Sequence, residues 1–189
     1  MRISAILLAA GLSQRMDEDK LLLEYQGRSL LQHSIDLLSE LPVFERFIVT
    51  TEVRVANMTI PAEVRLIINN SPAIGQSESI RLGVTEAKGT HYLFLVADQP
   101  KLTSADLMPI INAEKCDSIV FPVVDSEPRS PTMFPSSFRF ELLSLSDDSG
   151  GRVVRDAHPE VCHAIVPERP ENFVDIDNME DYKKLRVES

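Results

Sequence analysis

At 189 residues the chain has the size of one ordinary domain, and its 43% hydrophobic and 25% charged residues are the balance of a folded globular protein. The formal net charge of −10 excludes a sequence-independent grip on nucleic acid, because phosphate backbones select for Lys/Arg-rich surfaces. No apolar run approaches the ~20 residues of a membrane-spanning helix. The two cysteines, Cys116 and Cys162, stand outside any CxxC pair, which predicts a reducing, cytoplasmic setting.

In chain order, residues 3–10 form a short continuous apolar run, the pattern of a parallel strand covered on both faces. A single Arg precedes it, too little basic charge for a secretory leader. Residues 29–41 carry Leu30, Leu31, Ile35, Leu37, Leu38 and Leu41 at helical spacing, ended by Pro42. Residues 47–51 and 64–68 are β-branched runs bounded by turn formers, and 76–88 read as helix. Residues 92–97 form another buried strand, and Thr103 looks like the cap of a helix through 114. Residues 118–124 read as strand. Residues 125–135, with three prolines, predict an irregular or hairpin segment over the site. Helices over 138–145 and 150–157, a strand over 161–166 and a last helix over 179–186 capped by Asn178 complete the pattern.

Strand and helix alternate without repeats or linkers. This predicts one α/β domain over residues 1–189, a three-layer αβα arrangement with a mainly parallel, twisted sheet and right-handed crossovers. In such sheets ligands sit beyond the carboxyl ends of the strands, so chemistry should lie directly after strands. Leu8-Ala9-Ala10-Gly11-Leu12-Ser13-Gln14-Arg15-Met16 does, with Lys20 nine residues after Gly11. A strand broken at a glycine leaves free amides for an anion, and Arg15 and Lys20 can close on its oxygens. With one glycine it is neither a Walker A loop nor a GxGxxG fingerprint. Its plainer alternative is an ordinary βα turn.

Asp98 follows the strand over 92–97, and Asp175 and Asp177 follow Phe173-Val174. Hard divalent cations bind through one or two carboxylates plus substrate phosphates, and acids at separate strand ends suit that geometry. Asp98 could instead cap the turn before Pro100, and Asp177 the last helix. Asp148-Ser149-Gly150-Gly151 is similar to a serine-protease nucleophile loop, but alternating helix and strand is the wrong architecture for it. His33, His91, His158 and His163 lack metal-ligand spacing.

The opening loop, followed by Lys20-Leu21-Leu22-Leu23, resembles the signature of the molybdenum cofactor cytidylyltransferase family, relatives of the guanine-dinucleotide synthases within the nucleotide-diphospho-sugar transferase-like group. Four further blocks match in order. These are Asn70-Ser71-Pro72 with Gly75 and Ser77-Glu78-Ser79-Ile80, then Ala97-Asp98-Gln99-Pro100, Asp148-Ser149-Gly150-Gly151-Arg152 and Asp175-Ile176-Asp177. Together they span about residues 3 to 182.

The resemblance implies CMP transfer from CTP to the phosphate of a molybdopterin-type acceptor, with release of pyrophosphate. Ala10 before Gly11 favours cytosine over guanine, since the guanine-using relatives read Leu-Ala-Gly-Gly. It further implies Arg15, Lys20 and Asp98 as catalytic residues. Leu8, Ala9, Ala10, Gly11, Ser13, Arg15, Lys20, Asn70, Gly75, Ser77 and Ser79 would line the nucleotide site. Mg2+ would sit on Asp98 with Asp175 or Asp177, and a molybdenum hydroxylase would receive the product. The chain departs from the family at Asp17 (usually Gly), Arg129-Ser130 (usually Gly-Asn or Gly-His), Asp147 (usually Gly) and Asn178 (usually Thr).

Overall fold

The computed structural model describes residues 1–11, 19–114 and 117–187. β1 (Ile3–Ala9) is buried at every position because alternate side chains enter two different cores. Ile3, Ala5, Leu7 and Ala9 face one core, and Ile6 and Leu8 the other. Further on, β2 (Glu24–Tyr25) and β3 (Arg28–Ser29) pair across Gln26 and Gly27, both at positive φ (47° and 80°). That is the backbone a tight two-residue turn demands, and Gly27 adopts it without strain. Ser29 then caps α1 (Leu30–Glu40), its hydroxyl accepting from the Gln32 amide at 3.1 Å.

β4 (Glu45–Thr50), the one-turn α2 (Glu52–Val55), β5 (Val64–Ile68), α3 (Gln76–Glu86), β6 (His91–Val96) and α4 (Ser104–Ile111) follow. A capping box between Thr103 and Asp106 opens α4. β7 (Ile119–Val124), β8 (Glu127–Pro128), β9 (Thr132–Pro135), α5 (Arg139–Leu143), α6 (Gly151–Ala157), β10 (Cys162–Ile165) and α7 (Met179–Val187) complete the chain.

The main sheet has the order β10-β7-β9-β6-β1-β4-β5, with β8 paired on β7. All strands on that path run parallel except β9, which is antiparallel to both β6 and β7. Leu31, Ile35 and Leu38 of α1 and Leu107, Ile110 and Ile111 of α4 cover one face. Ile80 and Val84 of α3, Leu142 of α5 and Val154 of α6 cover the other. The result is the expected three-layer αβα fold. No helix of the described residues is long and apolar enough to cross a membrane.

Three elements differ from the sequence expectation. The hairpin β2–β3 and the short α2 lie where no periodic signal stood. Residues 125–135 hold the hairpin that was one of the two expectations, with Asp125 and Ser126, at φ 51° and 66°, turning β7 tightly into β8; the unexpected element is β9, which enters the middle of the sheet. Pro131 and Pro135 stand at the ends of β9, where a missing N–H disturbs the ladder least.

Candidate active site

Successive connections from β1 diverge at β1 itself, with β4 on one side and β6 on the other. The crevice beyond the carboxyl ends of β1 and β6 is therefore the topological switch point, where open α/β sheets bind ligands. Ala10 and Gly11 leave β1 there, and Ala97 and Asp98 leave β6. Lys20, the first residue of a 3-10 turn, reaches across: its Nζ lies 2.8 Å from Asp98 Oδ2 and 3.3 Å from Asp177 Oδ1. Burial lowers the Lys20 pKa, but Asp98 and Asp177 outweigh it and hold the ammonium above the usual lysine value. Lys20 is thus charged and half-buried rather than an exposed loop residue. Ser13 and Arg15 lie outside the described residues.

The two late acids are positioned by what separates them. Ile176 is buried with Tyr25, Leu30, Tyr182 and Leu185 in a third core, where α7 packs on the β2–β3 hairpin. Tyr182 Oη donates to Glu24 O at 2.6 Å, tying the two together. The Ile176 N–H donates to Asp98 O at 2.9 Å. With Ile176 turned inward, the alternation of extended backbone sends Asp175 and Asp177 to the opposite side, toward Asp98. Asp177 sits at the exposed rim. Asp175 is more deeply placed, and its pKa rises to about 6, first through burial and then through the charges of Asp98 and Asp177; Arg129 and Gln99 oppose the rise. Asn178, not Asp177, caps α7, its side-chain oxygen accepting from the Glu180 and Asp181 amides at 2.8 and 3.1 Å.

Among the described residues no three His, Cys, Asp or Glu side chains are gathered tightly enough to enclose a metal by themselves. The donor set still fits a cation that takes most of its ligands from phosphates and water. Asp98 Oδ1 is buried without a hydrogen-bond partner among the described residues. A desolvated, unpartnered carboxylate oxygen is costly, and a hard cation beside it would satisfy it.

The wall formed by α3 behaves differently. Asn69 is buried, donates to Ser79 Oγ at 3.1 Å and accepts from the Ser71 amide at 2.8 Å, whereas Asn70 is exposed. Ser77 is fully buried and donates to Asp147 O at 2.5 Å. Gly75 has φ 105°, and a Cβ there would collide with the backbone and carboxylate of Asp148, which itself accepts from the Gln76 amide at 3.2 Å. Sequence reasoning places Asn70, Gly75, Ser77 and Ser79 against a nucleotide. Here Ser77 and Ser79 bond within the protein, Gly75 packs on Asp148, and the buried asparagine is Asn69 rather than Asn70.

A cavity of about 310 Å³ opens beside Asp175. Leu8, Ile80, Phe94 and Phe134 form its apolar part, and Arg129, Arg152 and Arg155 its cationic part. Arg129 Nη1 lies 3.9 Å from Asp175 Oδ2. Arg155 is buried, stacks 4.9 Å over Phe121 and grips Asp156. Sequence reasoning named none of these arginines as site residues. Arg129 was noted only as a departure, although its position between strands was a usable signal.

The chain matches the model of the MobA-like NTP transferase domain over residues 5–161. It belongs to that family of nucleotidyltransferases. No curated protein matches it at a significant level. Among solved structures it is similar to Rv0371c from Mycobacterium tuberculosis H37Rv, at TM-score 0.80 and 24% identity over 100% of this chain and 98% of that one. Rv0371c has also been solved as a complex with manganese (TM-score 0.78, 20% identity, 100% of both chains). A nucleotidyl transferase from Methanothermobacter thermautotroptrophicus, Mth528, aligns at TM-score 0.83 and 23% identity over 99% and 97% of the two chains. A CMP:2-keto-3-deoxy-manno-octonic acid synthetase complexed with CTP aligns at TM-score 0.71 and 11% identity over 99% and 98%.

Proposed function

We propose that the chain transfers CMP from CTP to the terminal phosphate of a molybdopterin-type acceptor in a magnesium-dependent reaction that releases pyrophosphate. The observation that carries this reading is the meeting of Lys20 with Asp98 at the switch point, beside an arginine-lined cavity. Arg15 and Lys20 bind the triphosphate, and the Lys20 ammonium exchanges carboxylate for phosphate oxygens without leaving the site. Asp98, with Asp175 or Asp177, holds the divalent cation. When bound, that cation neutralises charge on the phosphates.

The acceptor's phosphate monoester has a second pKa near ~6 and arrives largely ionised, so the protein needs only to hold it in line with the α-phosphorus. The new bond joins an acceptor oxygen to that phosphorus, and the electron pair of the broken bond leaves on pyrophosphate. Arg129, at the border between Asp175 and the cavity, is suited to the acceptor's phosphate. Ala10 supports cytosine over guanine, and one structural neighbour is a synthetase solved in complex with CTP. Arg129 also favours a second reading, another phosphorylated acceptor, because it stands where the cytidylyltransferases have glycine.

The test is to incubate the purified protein with Mg2+, each nucleoside triphosphate and a panel holding the molybdopterin-type cofactor, sugar phosphates and polyol phosphates. Pyrophosphate and the nucleotidylated product are then identified by mass spectrometry. Cytidylylated cofactor is expected. Turnover with a sugar phosphate alone would overturn the acceptor assignment, and no pyrophosphate with any pair would overturn the activity.

A further inference from the structure

We infer that Arg54 is a positioning residue for the nucleotide site, tying the end of β1 to the turn that carries Lys20. It projects from α2, just beyond β4, and is 5% exposed. Nη1 donates to Ala9 O at 2.5 Å and Nη2 to Gly11 O at 2.8 Å. Nε and Nη2 hold the Asp19 carboxylate at 2.5 and 3.0 Å. One guanidinium therefore joins Ala9 at the end of β1, Gly11 two residues on and Asp19 just ahead of Lys20.

Only a planar fork with several fixed donors satisfies acceptors spread this way; a lysine offers a single point charge. A trans peptide is planar, so the Ala9 carbonyl turned onto Arg54 sends the following N–H the opposite way. Thr50 Oγ1, donating to the same carbonyl at 3.1 Å, reinforces that orientation. At the other end Asp19 also accepts from the Leu21 amide at 3.2 Å, capping the 3-10 turn that begins at Lys20. The link therefore continues from Arg54 through Asp19 to the turn that aims Lys20 at Asp98. It also neutralises Asp19, a carboxylate next to a site meant for polyphosphate.

This inference rests on the reading of the opening loop as the polyphosphate site, and its test separates the two. Arg54→Lys and Asp19→Asn are compared with the unaltered protein in two ways: tryptic cleavage after Lys20 under folded conditions, and steady-state pyrophosphate release with magnesium CTP and the molybdopterin-type acceptor. For Arg54→Lys the expected results are cleavage about tenfold faster and a KM for CTP about tenfold higher, with kcat changed less than about threefold. If Arg54→Lys does not fold, Asp19→Asn reads the same two quantities from the other side of the link. Unchanged cleavage and KM would overturn the inference, as would kcat falling in proportion to the folded fraction with KM constant. Faster cleavage in the variants, together with no CTP-induced thermal shift in the unaltered protein, would uphold the anchor and overturn the proposed function.

Discussion

The acidic corner and the α3 wall both carry residues matched to motifs, yet their polar atoms are in opposite conditions. Along α3 the polar groups are satisfied inside the protein: Asn69 with Ser79 and Ser71, Ser77 with Asp147, the Gln76 amide with Asp148. At the corner, Asp98 Oδ1 is buried without a partner among the described residues, and Asp175 is pushed up to about 6 by burial and its acidic neighbours. Satisfied groups build architecture, whereas Asp98 Oδ1 has no partner among the described residues and is open to a ligand. That difference is the reason the proposed chemistry is placed at the corner rather than along α3.

The largest effect is expected at Asp98. Asp98→Asn keeps the shape and removes the charge, so turnover should fall on the order of a hundredfold or more, with little change in melting temperature. Steady-state kinetics and a thermal melt check both halves. Next, Lys20→Ala should weaken CTP binding about tenfold, the size of one charge-assisted contact. Because the truncation leaves Asp98 and Asp177 without that ammonium, Mg2+ should raise the melting temperature of the variant more than that of the unaltered protein; an equal shift would count against a shared cation position.

On the architectural side, Asn69→Ala should destabilise the fold by about 1–3 kcal/mol by stranding buried partners, measured by denaturant unfolding, while kcat per folded molecule barely moves. Asp175 gives the smallest effect, and its sign is fixed. Its folded pKa lies above the ordinary 3.8, so its contribution to stability is greatest at low pH and is lost as pH rises from about 4 to 6. Asp175→Asn should therefore be more favourable relative to the unaltered protein at pH 7.5 than at pH 4. The difference should be about 1–2 kcal/mol once partial exposure is discounted. Metal-free unfolding curves at the two pH values measure it.

Much of the fold was legible because each main strand and helix carries its own period. Val64–Ile68 was bounded as observed, and β1 and β6 read as apolar runs because both faces are covered. β9 was not legible. A four-residue strand flanked by prolines shows too little alternation, and it is held by β6 and β7 rather than by its own propensity. The rule that ligands gather at strand ends placed both Lys20 and Asp98 in the crevice, but their direct ion pair was not expected. Arg54 and Asn69 were missed for a different reason. Their importance lies in backbone carbonyls and a neighbouring hydroxyl that come close only after folding, and no spacing in the chain records that approach.

The central claim is that the Asp98 corner and the polyphosphate meet through one shared cation. Titrating Mn2+ into the protein with a non-reacting CTP analogue, and following the free-ion electron paramagnetic resonance signal, tests it directly. The account predicts that the analogue tightens Mn2+ binding to the unaltered protein and that Asp98→Asn abolishes the tightening. Equal tightening in the variant would contradict it.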